Sequence, residues 1–191
     1  MAIDPNSRQR FNLSKTEVLL LDPSPIGLDI LFQILSGLGA RRLHRCETVE
    51  QAKVAASGGQ IDLMIVDAIS ESGEGYGFVR WLRRETAPPN RHAPVLLTTG
   101  HTRLSDVTSA RDCGSHYILV KPLAPAVLVE RINWIVRRGR PFVVSDAYVG
   151  PDRRVGRKNG RTDHPLRRHD DASLKADTPA AAPDQPLEQA S

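Results

Sequence analysis

Four residues in this sequence could share one piece of chemistry: Asp22, Asp67, Thr99 and Lys121. Each follows a short apolar run: Val18-Leu19-Leu20-Leu21, Leu63-Met64-Ile65-Val66, Val95-Leu96-Leu97 and Tyr117-Ile118-Leu119-Val120. Two carboxylates, a hydroxyl and an ammonium in one pocket are what phosphoryl transfer to a carboxylate requires. The carboxylates suit Mg²⁺, which takes one or two protein carboxylates and completes its shell with phosphate oxygens and water. Asp67 is the natural nucleophile, becoming an acyl phosphate. The hydroxyl and the ammonium can each contact a phosphoryl oxygen after transfer. Taken alone, Asp67 also has a plainer reading, a turn or N-cap residue closing an ordinary strand.

The chemistry requires elements that bring these four ends together. The apolar runs lack polar alternation, so they read as strands buried on both faces, as in a parallel sheet. Between them lie helical patterns. Ser24 is a good N-cap and Pro25 suits the first helical position; Ile30, Leu31, Ile34, Leu35 and Leu38 follow at helical spacing, and Gly39 ends the helix. Ala40 to Cys46 reads as a weaker strand at a sheet edge. Thr48 and Gln51 have capping-box spacing for a short helix that stops at Gly58-Gly59. Phe78, Trp81 and Leu82 mark another helix, broken by Pro88-Pro89-Asn90. Leu104 to Cys113 reads as a short helix capped near Ser105, and Pro125 opens a last one with Leu128, Ile132 and Ile135 inward. Strand and helix alternate five times. This predicts an α/β fold, a doubly wound five-stranded parallel sheet. Right-handed crossovers with one switch point give the order 2-1-3-4-5. In that order strands one, three, four and five are neighbours, and ligands bind at their carboxyl ends.

The chain has 191 residues, 40% of them hydrophobic, and a formal net charge of +4. That length suits one domain of about 100–150 residues with extensions. Its two cysteines, Cys46 and Cys113, have no paired spacing, which fits a reducing compartment and argues against a disulfide framework. No apolar run approaches the ~20 residues of a membrane span. The polar start has no apolar core of a secretory signal. A cytoplasmic protein with no membrane association is expected.

At this point the sequence resembles the receiver domain of bacterial two-component response regulators, best known from the CheY-like single-domain chemotaxis regulator. The resemblance covers roughly residues 16–138. It rests on Val18-Leu19-Leu20-Leu21-Asp22, Asp62-Leu63-Met64-Ile65-Val66-Asp67, Gly75, Pro94-Val95-Leu96-Leu97-Thr98-Thr99-Gly100, and Gly114 leading to Lys121-Pro122. It implies a flavodoxin-like fold, Asp67 as phosphoacceptor, Asp22 as a metal ligand, Thr99 as the switch hydroxyl and Lys121 as the phosphate-binding lysine. It also implies a Mg²⁺ ligand from the backbone carbonyl of Ile69 and a cis peptide before Pro122. The partners it implies are a histidine kinase or phosphotransfer protein and a protein target of unknown identity. Such a domain is not an enzyme in the turnover sense. Three positions depart from the family pattern, one of them Glu71, which replaces the usual proline of the loop after Asp67. Pro23 replaces the second of two adjacent acidic residues, which predicts weak Mg²⁺ binding, and Ile118 stands where the family has its switch aromatic, one residue after Tyr117.

The expected organisation is an N-terminal arm over 1–15, a receiver domain over 16–138, a basic arginine-rich extension over 139–171 and a disordered tail over 172–191. The irregular tail has no helix-turn-helix pattern, so no DNA-binding output domain is expected. Phe142, Val143, Val144 and Tyr148 are too apolar for a free linker, and the stretch from Pro141 to Val149 is expected to lie on the receiver or on a partner. Arg153, Arg157 and Arg161 repeat the Arg-x-x-x-Arg spacing of cyclic-di-GMP-binding PilZ domains, without the second motif of those domains. Guanidinium groups can pair with and stack on guanine or contact phosphate. The run therefore reads as a solvated tail or as a contact for cyclic-di-GMP, nucleic acid or another anion. Two functions stay open: a phosphorylated single-domain regulator, or a degenerate adaptor that acts through its arginine-rich tail without phosphorylation.

Overall fold

A computed structural model describes residues 12–68, 73–100, 104–137 and 140–153. Its elements run β1 (Glu17–Leu21), α1 (Pro25–Gly37), β2 (Arg42–Cys46), α2 (Val49–Gly58), β3 (Leu63–Asp67), α3 (Glu74–Glu85), a 3-10 turn (Asn90–His92), β4 (Val95–Thr99), α4 (Leu104–Asp112), β5 (Tyr117–Val120), α5 (Pro125–Arg137), β6 (Phe142–Val144) and β7 (Val149–Pro151). The first five strands form one parallel sheet of order β2-β1-β3-β4-β5, the predicted order.

The unbroken apolar runs follow from burial on both sides. Leu19, Leu21, Met64, Val66, Val95 and Leu97 pack with Ala52 and Ala56 of α2 and Phe78, Val79 and Leu82 of α3. The residues between them in the strands, Val18, Leu20, Leu63, Ile65 and Leu96, pack with Leu28, Leu31 and Leu35 of α1 and Leu128, Ile132 and Ile135 of α5. β2 is the exposed edge its arginines predicted. Its Arg42 and His44 reach Glu17 of β1 at 3.1 Å each.

The helix starts follow their caps. The Ser24 hydroxyl accepts the Gly27 N–H at 3.2 Å, and the Thr48 hydroxyl accepts that of Gln51 at 3.3 Å. Two expectations need correction. Leu104 already opens α4, so Ser105 lies inside the helix, and the residues ahead of Leu104 lie outside the described ones. Ile30, at helical spacing with the core positions, is 48% exposed, because α1 buries the stripe through Leu28, Leu31 and Leu35.

The compact unit continues past α5 to Arg153. β6 and β7 pair antiparallel across a turn closed by reciprocal backbone bonds between Ser145 and Tyr148. What they dock on is Arg83 of α3, which is 1% exposed. Arg83 Nε donates to the Gly114 carbonyl at 3.0 Å, Nη1 to that of Arg91 at 2.6 Å and Nη2 to that of Ala93 at 2.9 Å. The Phe142 ring covers this guanidinium at 5.3 Å and lies tilted against His92 at 4.4 Å. Burial lowers the Arg83 pKa to about 10, so it stays charged at neutral pH. The apolar stretch expected to find a surface thus lies on the receiver.

His116, next to this arginine, accepts the Val95 N–H through Nδ1 at 3.2 Å. Burial, then the charges of Arg83 and Arg140, push its pKa down to about 3. Below its ordinary value of about 6.5 the unfolded chain takes up a proton that the folded chain refuses. Stability is therefore expected to fall as pH drops from about 6.5 towards 3, by up to ~1.4 kcal/mol per pH unit. Urea unfolding between pH 7 and 5 should show a slope that His116→Gln flattens. An equal slope in both proteins would refute this.

Candidate functional site

The predicted convergence at the carboxyl edge is present for the two carboxylates and the lysine. Lys121 Nζ stands 2.7 Å from Asp22 Oδ2 and 2.6 Å from Asp67 Oδ2. Burial works to lower the lysine's pKa, but the hydrogen bonds and charges of Asp22 and Asp67 outweigh it, and the net shift is upward. Lys121 is therefore a charged ammonium shared by two carboxylates.

Each member is held by the fold. Asp22 is 1% exposed, and its Oδ1 accepts the Ser24 N–H at 2.9 Å. Gly27, in the first turn of α1, leaves room for this carboxylate; a Cβ there would collide with Asp22 Oδ2. Asp67 ends β3 with its side chain 12% exposed. A Cβ at Gly75 would collide with the Asp67 carbonyl oxygen, so α3 can start hard against the end of β3 only because that residue is glycine. Lys121 follows β5, its N–H donating to the Thr99 carbonyl at 2.8 Å and its peptide bond to Pro122 cis, as the resemblance implied.

Thr98, which the sequence reading did not single out, donates its hydroxyl to Asp67 Oδ2 at 3.3 Å. The signal was the strand register, which sets Asp67 directly opposite Thr98. Thr99, the candidate switch hydroxyl, closes β4 and is 4% exposed. Ile118 packs towards the α2–α3 side of the sheet, whereas the Tyr117 ring lies on the other side, edge-on to Trp134 and 4.5 Å beneath Arg131.

Among the remaining candidates, the described one, Arg153, does not join this pocket. Arg153 lies beyond α4, its Nη1 2.7 Å from Asp112 Oδ1, where the chain enters β5 at the opposite edge of the sheet. Ile69, Arg157 and Arg161 lie outside the described residues, as do most of the N-terminal arm and the whole of 172–191.

Pro23 adds no oxygen ligand beside Asp22, and among the described residues no cluster of three or more His, Cys, Asp or Glu side chains could hold a metal. Two carboxylates converging on one cation nevertheless fit Mg²⁺, which needs one or two and keeps several waters.

The sheet order with an acid pair and lysine at its carboxyl edge defines a CheY-like domain. The chain belongs to the response regulator receiver domain family, whose model matches residues 18–133. Receiver domains bind Mg²⁺ at an acidic pocket and interact with histidine kinases or phosphotransfer proteins. The Escherichia coli phosphate regulon transcriptional regulatory protein PhoB is 31% identical over 85 residues, 44% of this chain and 36% of PhoB. The KDP operon transcriptional regulatory protein KdpE of the same organism is 28% identical over 134 residues, 70% of this chain and 57% of KdpE. The chain thus spans about a third to just over half of these relatives. Among solved structures, the signal receiver domain of a signal transduction histidine kinase from Syntrophus aciditrophicus is 26% identical with a TM-score of 0.57, covering 70% of this chain and 99% of that one. A putative response regulator from Chloroflexus aurantiacus is also 26% identical, with a TM-score of 0.58, covering 65% and 100%.

Proposed function

We propose that this chain accepts a phosphoryl group on Asp67 from a histidine kinase or phosphotransfer protein and passes the signal on by protein–protein contact. The observation that carries this reading is the lysine shared by Asp22 and Asp67. An Asp67 carboxylate oxygen attacks the donor's phosphorus. The O–P bond forms, the N–P bond of the phosphohistidine breaks, and the imidazole leaves with the electron pair and takes a proton from solvent. Lys121 holds the acceptor carboxylate in place beforehand and moves to a phosphoryl oxygen afterwards. A hydroxyl at the end of β4 follows that oxygen and draws on β4 and, through Ile118, β5. When bound, Mg²⁺ neutralises charge on the transferring phosphoryl group; Asp22, Asp67 and the Ile69 carbonyl are the ligands proposed for it. The domain spends each phosphoryl group as a signal and turns over no substrate. It works in the cytoplasm, where its kinase presents phosphohistidine and Cys46 and Cys113 stay free thiols.

The reading is tested by incubating the chain with Mg²⁺ and acetyl phosphate and weighing it intact. One acid-stable, base-labile phosphoryl adduct is expected; none under any donor would leave the adaptor reading. Two variants refine it. Thr99→Ala and Thr98→Val are expected to differ, with Thr99→Ala the one that blocks the response after phosphorylation; the reverse would make Thr98 the switch hydroxyl. Pro23→Asp restores a charged ligand and is expected to tighten Mg²⁺ binding, by calorimetry, about tenfold or more. Equal affinity in both proteins would refute that role for position 23.

The second reading, anion capture by the extension, is favoured by Arg153, which the hairpin fixes on the receiver. Cyclic-di-GMP and nucleic acid are its candidate ligands.

A further inference from the structure

A cleft of about 320 Å³ separates the hairpin from α4 and the start of β5, and Arg111, His116, Tyr117, Arg140, Tyr148 and Arg153 are among the residues that line it. Three guanidinium groups therefore border one cavity. Their charge is only partly offset. Asp112 Oδ1 serves both Arg111 Nε at 3.1 Å and Arg153 Nη1 at 2.7 Å, and Asp152 lies close enough to act on Arg140. An excess of one charge around an open cavity gathers counter-ions, and an anion in the cleft would balance it.

Two of the guanidinium groups lie over aromatic rings. Arg153 Cζ is 3.6 Å from the Tyr148 ring centre, and Arg140 Cζ is 4.9 Å from that of Trp134. A guanidinium stacked on a ring keeps its N–H edge for paired contacts with a phosphate, and its outer face can take a second planar group. The cavity is of the size that small ligands fill, roughly 300–1,000 Å³.

We propose that the cleft between the hairpin and α4–β5 binds a nucleotide, its phosphate on Arg111, Arg140 and Arg153 and its base against the Tyr148–Arg153 stack. This rests on the second reading above and deepens it: the site lies in the folded unit, ahead of the arginines after Arg153, and does not depend on Asp67.

Calorimetric titration of the full chain with GMP, cyclic-di-GMP and inorganic phosphate tests it. At least one nucleotide should bind saturably and more tightly than phosphate alone. Arg111→Gln and Arg140→Gln should each weaken it about tenfold to a hundredfold, the loss of a charge-assisted contact. Arg111 is a well-exposed position and its variant is expected to keep the wild-type thermal melt; the same melt on Arg140→Gln shows whether its loss is local. A chain with Arg157, Arg161, Arg167 and Arg168 changed to Gln should still bind, as should Asp67→Asn, which separates this site from the phosphoacceptor. The proposal fails if no nucleotide saturates, if phosphate alone binds as well, if the Arg111 variant binds unchanged, or if the four later arginines prove to hold the ligand.

Discussion

An Asp67→Asn chain is expected to gain no phosphoryl group under conditions that load the wild type completely, and to remain folded. The pocket's charges explain both halves. Asp22, Asp67 and Lys121 together carry one excess negative charge, and the amide removes it, leaving Asp22 paired with Lys121 at 2.7 Å. No buried charge is orphaned, so the usual cost of breaking such a cluster is absent. What disappears is the nucleophile: an amide oxygen has no charge to donate to phosphorus. Lys121→Met is the informative contrast. It leaves two carboxylates side by side without a cation, and so is expected to lower stability as well as phosphorylation. Intact mass and urea unfolding on both variants decide the matter. An undiminished adduct on Asp67→Asn would remove Asp67 from the mechanism; a wild-type melt for Lys121→Met would show that the ion pairs contribute little.

The second large effect is expected far from that pocket. Arg83→Leu strips the donors from the carbonyls of Arg91, Ala93 and Gly114 and takes away the cation under Phe142. Each carbonyl left buried without a donor costs about 1–3 kcal/mol, so a loss of roughly 3 kcal/mol or more is expected. Arg83→Lys keeps the charge, but an ammonium cannot reproduce the planar fork, and an intermediate loss should follow. Limited proteolysis should also cut 142–151 faster in Arg83→Leu than in wild type. A change below about 1 kcal/mol would mean that water replaces the guanidinium without cost.

The sheet was legible because β1, β3 and β4 are apolar on both faces and the strands are punctuated by Ser24-Pro25, Thr48, Pro88-Pro89 or Gly114. The ends of those strands announced Asp22, Asp67 and Lys121. Arg83 was not legible. A charged residue near a helix C-terminus ordinarily marks solvent, although it falls four residues after Val79 on the buried stripe of α3. Nothing local reveals that three carbonyls from two other segments will surround it. The hairpin was visible only as apolar patches, since strands of three residues carry too little alternation to reveal their pairing. Thr98 was hidden by register, which depends on how two distant strands align.

The lysine shared by the two carboxylates joins residues 99 positions apart in sequence, counted from Asp22. A ribosome therefore releases both acids before it makes their counter-charge. Until β5 emerges, the growing chain can assemble β1, β3 and β4 only with two anions facing each other at the rim. Completion of the last strand is what turns that repulsion into attraction.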